Sequence, residues 1–196
     1  MLYLCSNAVS GYKRNTCCVY IVLTVYVLIF VRDMSKKKEI MQNVNNWLEE
    51  ERYAFGIIYD PQTDLNISIS FNEYTGCNVI LTKNDSLLLI VTEVTFSEED
   101  KKIFAHLKKE SKLVFIQELG YSLSQVNVQY SIYPDSENMD YIQMRYIIYF
   151  DGLTKNSLFH GISEVIRAVG LARLVYCKKI CKYFLLICHI EVLRSN

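Results

Sequence analysis

Proline and glycine are scarce in this chain of 196 residues, which contains two prolines and seven glycines. Collagen-like, linker-rich and low-complexity proteins need far more of both, so these classes are excluded. Tryptophan occurs once and histidine three times. Histidine is the usual general base of enzymes, so its scarcity narrows the catalytic arrangements that the chain can form.

Positive charge is in deficit in the middle of the chain. Residues 34–176 carry 14 Lys and Arg against 19 Asp and Glu, whereas the two flanks together carry 7 against 2. Nucleic-acid binding needs clustered Lys and Arg that displace counterions from phosphates. We therefore expect no nucleic-acid partner for the acidic middle.

Cysteine is almost missing from the same stretch, because six of the seven cysteines lie in the flanks and only Cys77 lies between them. A lone cysteine excludes a disulfide scaffold and fits a reducing compartment, so we predict a cytoplasmic location. The contrast predicts three parts: an apolar N-terminal extension (1–33), a single α+β domain (34–176) and an apolar, cysteine-containing C-terminal helix (177–196).

The N-terminal extension contains 17 uncharged residues at 15–31. As a helix this segment would span about 25 Å, slightly less than the hydrocarbon layer of a membrane. Three interpretations stay open: an upstream extension of a protein that starts at Met34, a short membrane anchor, and a cleaved signal peptide. If the segment is a real anchor, the basic residues Arg32 and Lys36–Lys38 place the following domain in the cytoplasm. A membrane is expected as a partner only in that case.

Hydrophobic periodicity predicts the elements of the middle part. An amphipathic helix over 35–52 carries Ile40, Val44, Trp47 and Leu48 on one face. A second helical region begins at the Ser97 cap, and the charged stretch Lys108–Glu110 predicts a bend or a break into two helices. The remaining elements are a last helix capped by Thr154 and strands at Phe55–Tyr59, Leu65–Phe71, Cys77–Leu81, Leu87–Val94, Val126–Ile132 and Tyr141–Phe150.

This order, α-ββββ-α-ββ-α, predicts an α+β fold in which helices pack on one face of an antiparallel sheet of about six strands. Short connections between successive strands favour an antiparallel meander, because parallel strands need long crossovers. The apolar run Leu87–Val94 is typical of a central strand that is covered on both sides.

Motifs that would carry chemistry are missing. The sequence has no G-x-S-x-G nucleophile elbow, no phosphate-binding P-loop and no dinucleotide-binding glycine pattern. Cys177, Cys181 and Cys188-His189 lack the C-x-x-C spacing of structural zinc sites. We therefore predict no catalytic residues, no cofactor and no metal, which means a protein that is not an enzyme.

Six residues are candidates for recognition: Trp47, Tyr149, Asp151, Gly152, Thr154 and Asn156. Trp47 is expected as a core anchor, with stacking against a ligand as the alternative. In the turn Asp151–Asn156, Gly152 is expected to relieve backbone strain and Thr154 to cap the last helix. Anion binding at that helix N-terminus is the alternative.

Three segments give the chain a family resemblance: Asn46–Glu51 (NWLEEE), Phe96-Ser97 and above all Tyr149–Asn156 (YFDGLTKN). With them, residues 34–176 resemble an archaeal family of uncharacterised domains whose element order is similar to the type III secretion chaperone-like fold. The resemblance implies that fold, and it implies a tendency to dimerise and to bind extended segments of other proteins. It implies no activity.

The sequence thus favours a non-catalytic cytoplasmic protein-interaction or chaperone-like module that forms a homodimer and binds a protein partner of unknown identity. The alternative is a small-molecule binder or an unrecognised enzyme with a pocket near the 151–156 turn.

Overall fold

The computed structural model describes residues 35–73, 75–136 and 138–181. The segment 15–31 and residues 182–196 of the predicted C-terminal helix lie outside these ranges. Spatial contacts divide the chain into two units, the first ending at Trp47 and the second beginning at Leu48. The boundaries expected at 33/34 and 176/177 stay predictions.

Helix α1 covers residues 35–50. In the first unit, Ile40 and Val44 are buried, as the amphipathic pattern predicts. The helix ends earlier than expected, because Arg52 has a positive φ of 58° and leaves the helical path. The backbone N–H of Tyr53 donates to the Leu48 carbonyl at 3.0 Å, the closing bond of a Schellman motif, which here uses arginine where glycine is usual.

Six antiparallel strands form one sheet in the order β1-β2-β3-β4-β6-β5. The strands are β1 (Phe55–Ile57), β2 (Thr63–Asn72), β3 (Thr75–Thr82), β4 (Leu87–Thr95), β5 (Gln129–Pro134) and β6 (Met139–Tyr149). The predicted antiparallel sheet is confirmed, but the expected start of the fifth strand at Val126 is wrong. Val126 is buried in the turn that precedes β5, so its alternation with Val128 does not come from strand structure.

Three helices follow in the second unit: α2 (Glu98–Ala105), α3 (Lys109–Leu123) and α4 (Lys155–Tyr176), which continues into a π-helical segment, Cys177–Cys181. Ser97 caps α2 as predicted, since its Oγ accepts from the Asp100 backbone N–H and the Asp100 carboxylate accepts from the Ser97 backbone N–H, both at 3.1 Å. Of the two alternatives at Lys108, a bend or a break, the structure has the break, because Lys108 has extended backbone angles between α2 and α3.

The helices pack on one face of the sheet, as the sequence predicts. Helix α4 lies against β3, β4 and β6, and α2 also contacts β6. Cross-strand partners point into this layer together, for example Val79 and Ile90, which are fully buried. Tyr53 joins the layer by stacking on Phe159 of α4, with ring centroids 5.4 Å apart.

The opposite face of the sheet is here called the open face. It contains the alternate residues of the central strands, and Leu87, Leu89 and Val91 of β4 are only half-buried there. The expectation that this strand is covered on both sides is therefore wrong. The strand is apolar along its length because one face packs under the helices and the other face, which α2 and α4 do not cover, is apolar as well.

Among the helices of residues 35–181, none combines the length and the hydropathy that a membrane crossing requires.

Candidate interaction surfaces

The turn between β6 and α4 contains Asp151, Gly152 and Thr154, the candidate Asn156 lies in the first turn of α4, and local hydrogen bonds explain the shape of this segment. Thr154 is the N-cap of α4, as predicted, because its Oγ1 accepts from the Ser157 backbone N–H at 3.1 Å. The Ser157 hydroxyl in turn accepts from the Thr154 backbone N–H at 2.8 Å. These two bonds form a capping box, which satisfies donors that an anion would otherwise use.

Gly152 has no special backbone conformation in this turn. No described glycine has a positive φ, and a Cβ at Gly152 would lie 3.7 Å from the Tyr149 carbonyl oxygen, an ordinary contact distance. The expectation that this glycine relieves strain is therefore wrong. Asp151 and Asn156 are exposed beside it.

An ion-pair cluster connects two of the segments on which the resemblance rests. The Lys155 ammonium lies 2.8 Å from Glu50 Oε2 and 2.7 Å from Glu51 Oε1. The hydrogen bond to Glu50, followed by that to Glu51, raises the pKa of Lys155. The start of α4 is thus bound to the end of α1, which gives both sequence segments a structural role. Trp47 belongs to the first unit and is partly buried.

Tyr149, the sixth candidate, lies on the open face and is 63% exposed. Strand pairing places it beside an apolar band made of Ile80, Leu87, Leu89, Ile147 and Tyr149 itself. Ile80 is the register partner of Leu89, Leu89 of Ile147, and Leu87 of Tyr149. The sequence alone does not reveal this band, because the continuous apolar run of β4 predicts a strand that is covered on both sides.

A polar depression adjoins the band on the open face. It has a volume of about 360 Å³ and is lined in part by Ser68, Ser70, Asn78, Val91 and Glu93. The exposed carboxylate of Glu93 accepts a hydrogen bond of 2.9 Å from the Gln143 side chain. The open face therefore offers apolar contact area next to hydrogen-bonding groups and a negative charge.

Two further depressions lie on helices. One, of about 910 Å³, lies between α3 and the end of α4, and one of about 320 Å³ lies at the start of α3. None of these three depressions is lined by residues of the 151–156 turn, where the alternative hypothesis places a pocket.

The histidine side chains that could act as general bases make structural contacts. The Nδ1 of His106 lies 2.7 Å from the Lys102 carbonyl at the end of α2, and the ring of His160 meets that of Tyr146 edge-on. The described residues contain no group of three or more His, Cys, Asp or Glu side chains that could hold a metal ion.

Cys77 is expected to resist thiol reagents in the folded protein. Its side chain is buried in β3, and burial raises the pKa of the thiol from 9.0 to about 12. Because the thiolate is the reactive species, alkylation at about pH 8 should be about 1000-fold slower than in denaturant. Mass spectrometry of the Cys77 peptide after timed alkylation measures this rate, and equal rates in native and denatured protein would contradict it. The exposed Cys177 serves as the internal control.

Solved structures support the fold. An uncharacterized protein from Methanothermobacter thermautotrophicus has a TM-score of 0.64 and 21% identity to this chain, covering 70% of this chain and 96% of that one. YbjN from E. coli has a TM-score of 0.42 and 9% identity over 66% of this chain and 85% of its own, which is too low to carry an argument. The first likeness shows the fold alone.

No curated protein matches the sequence. A family profile does match, over residues 40–174, which is more than half of the chain. The match confirms the resemblance to a family of uncharacterised domains that the NWLEEE and YFDGLTKN segments indicate. The chain belongs to the family described as Uncharacterized conserved protein (DUF2299).

Proposed function

We propose that this chain is a non-catalytic protein-interaction module that binds an extended segment of a partner protein across the open face of its sheet. The observation that carries the proposal is the apolar band, which lies on the face opposite α2 and α4. The element order, similar to that of type III secretion chaperones, supports the proposal by analogy of fold.

The band has the composition of an interface centre. Aliphatic side chains of three neighbouring strands lie side by side in it, and the exposed ring of Tyr149 borders them. Covering such side chains removes apolar area from water, at about 25 cal/mol per Å². Tyrosine is enriched at interfaces because it combines a large apolar ring with a polar hydroxyl group.

The polar depression favours a particular chemistry for the bound segment. Glu93 lies at its edge, and residues 34–176 carry a net negative charge. A segment that places apolar side chains on the band and a Lys or Arg near Glu93 complements both features. We therefore expect the partner segment to be extended, apolar at alternate positions and basic.

The test uses the full chain with Leu89→Lys and Ile147→Lys together, which put two charges into the band. Affinity capture from native lysate, quantified by mass spectrometry, should recover the partner at least about tenfold less efficiently than with the unchanged protein. A control with the same added charge, Gln117→Lys and Ser163→Lys, changes exposed helix positions and should leave recovery unchanged.

Thermal melting of both variants establishes that they fold. Equal recovery by the band variant and the control would overturn the proposal, as would the absence of any specifically recovered protein with the unchanged chain.

A further inference from the structure

The first strand and the two residues that follow it expose an apolar run at one edge of the sheet. Among the strands of residues 35–181, β1 is the outermost one, and it pairs on one side with β2. Ile57 is 70% exposed, Ile58 42% and Tyr59 92%. Proteins usually protect edge strands with charges, prolines or a covering element, because an open edge pairs readily with another strand.

Backbone hydrogen bonds show which groups of β1 point away from β2. The Ile58 N–H donates to the Asn66 carbonyl at 2.8 Å, and the Ser70 N–H donates to the Ala54 carbonyl at 3.2 Å. In an antiparallel pair, residues that bond to the neighbour alternate with residues whose N–H and C=O point outward. The outward residues are therefore Phe55, Ile57 and Tyr59.

We infer that this edge pairs with the same edge of a second copy of the chain, antiparallel about Ile57. A two-fold axis at Ile57 places it opposite Ile57 of the second copy, and it places Phe55 opposite Tyr59. Each opposed pair exchanges two backbone hydrogen bonds, so the two sheets continue as one across the axis. This surface is separate from the open face, and the inference does not depend on the proposed function.

The self-complementary pattern favours a second copy over another occupant. The outward residues are spaced symmetrically about Ile57, so a two-fold axis satisfies all of their backbone groups at once. The pairing of Phe55 with Tyr59 puts an aromatic ring opposite an aromatic ring, a favourable cross-strand combination. Arg52 precedes the strand and Asp60 follows it, so opposite charges approach each other at both ends of the pairing.

Light scattering after size exclusion, over about 1–200 μM full chain, measures the dimer directly. Ile57→Pro removes the two N–H groups at the axis but leaves the bonds of Ala54 and Ile58 to β2. It should raise the dimer dissociation constant at least about 100-fold, whereas Ile57→Val should leave it within about threefold. Ile57→Lys, which opposes two like charges at the axis, is a second disrupting variant at a largely exposed position.

Amide hydrogen exchange gives a readout that non-specific association would not produce. In the dimer the amides of Phe55, Ile57 and Tyr59 should exchange slowly, and dilution or Ile57→Lys should make them fast. The Ile58 amide should stay slow throughout, which also shows that β1 remains folded.

Three results would overturn the inference. They are a monomer at every concentration, a dimer that both disrupting variants leave intact, and protection of the Phe55, Ile57 and Tyr59 amides only when a different protein is added. A dimer that survives the Leu89→Lys and Ile147→Lys changes distinguishes this edge from the open face.

Discussion

Replacing Gly161 by leucine should lower the free energy of unfolding by about 3 kcal/mol, the upper end of the usual cost of overpacking a core. Gly161 is buried where α4 crosses the sheet. A Cβ there would lie 2.6 Å from Ile90 Cδ1 and 2.7 Å from Tyr146 Cδ1. These two residues are register partners on β4 and β6. Relieving both close contacts would therefore require the helix to move away from the sheet.

Gly170 of the same helix is the matched control for this prediction. An added Cβ at Gly170 meets no atom within 4 Å. Gly170→Leu should therefore raise stability by up to about 1 kcal/mol, because leucine favours helix more than glycine does. Chemical denaturation of both variants measures the difference. Equal effects at the two positions would show that α4 does not need close contact with the sheet at Gly161.

The sequence predicts the fold of this chain well because strands such as β2 and β6 alternate and because α2 and α4 begin at capping boxes. In β6, Ile142 and Met144 are buried while Gln143 and Arg145 face the other side, as the alternation requires. The caps at Ser97 and Thr154 are local patterns of four residues, which a single sequence contains in full. Local signals of this kind place element types correctly and miss boundaries by a few residues.

The interaction surfaces could not be predicted in the same way, because they depend on neighbours that are distant in the chain. Leu89 and Ile147 form one band only because β6 lies beside β4, an order that periodicity does not contain. The sequence alone favours Gly152 as the glycine with a special role, but the structure shows an ordinary conformation there. Gly161, by contrast, has a close contact with two side chains of the sheet, and only the packing of α4 on the sheet reveals it.

The mistaken start of the fifth strand has the same origin. Val126 and Val128 alternate as in a strand, but the chain between α3 and β5 is held by a contact with α4. The backbone N–H of Asn127 donates to Glu164 Oε2 at 2.8 Å. The two residues are 37 positions apart, so no local pattern predicts the bond. It fixes this segment as a turn and delays the strand until Gln129.

Removing the carboxylate of Glu164 is therefore the second change with a large expected effect. Glu164 is 6% exposed, and its other oxygen, Oε1, pairs with Arg167 Nη1 at 2.6 Å. Glu164→Ala leaves the Asn127 N–H without its acceptor, which should lower the free energy of unfolding by about 2 kcal/mol. Glu164→Gln keeps an acceptor oxygen but loses the negative charge, so its loss should be smaller.

The stability difference between the unchanged protein and Glu164→Gln should depend on pH. The hydrogen bond from the Asn127 N–H, together with the bond to Arg167, holds the pKa of Glu164 below its ordinary value. A carboxyl whose pKa is lowered on folding contributes stability above its unfolded pKa of about 4.3. That contribution disappears as pH falls through the lower folded pKa, because the folded carboxyl then takes up a proton as well.

Urea denaturation of the two proteins at several pH values between about 7 and 3 tests this dependence. The difference should be constant near neutrality and should shrink at the acid end. A matched change, Glu99→Gln, alters an exposed acid of α2, and its stability difference from the unchanged protein should stay small throughout. A constant difference for Glu164→Gln down to the lowest pH would show that the charge of Glu164 is not what holds the turn before β5.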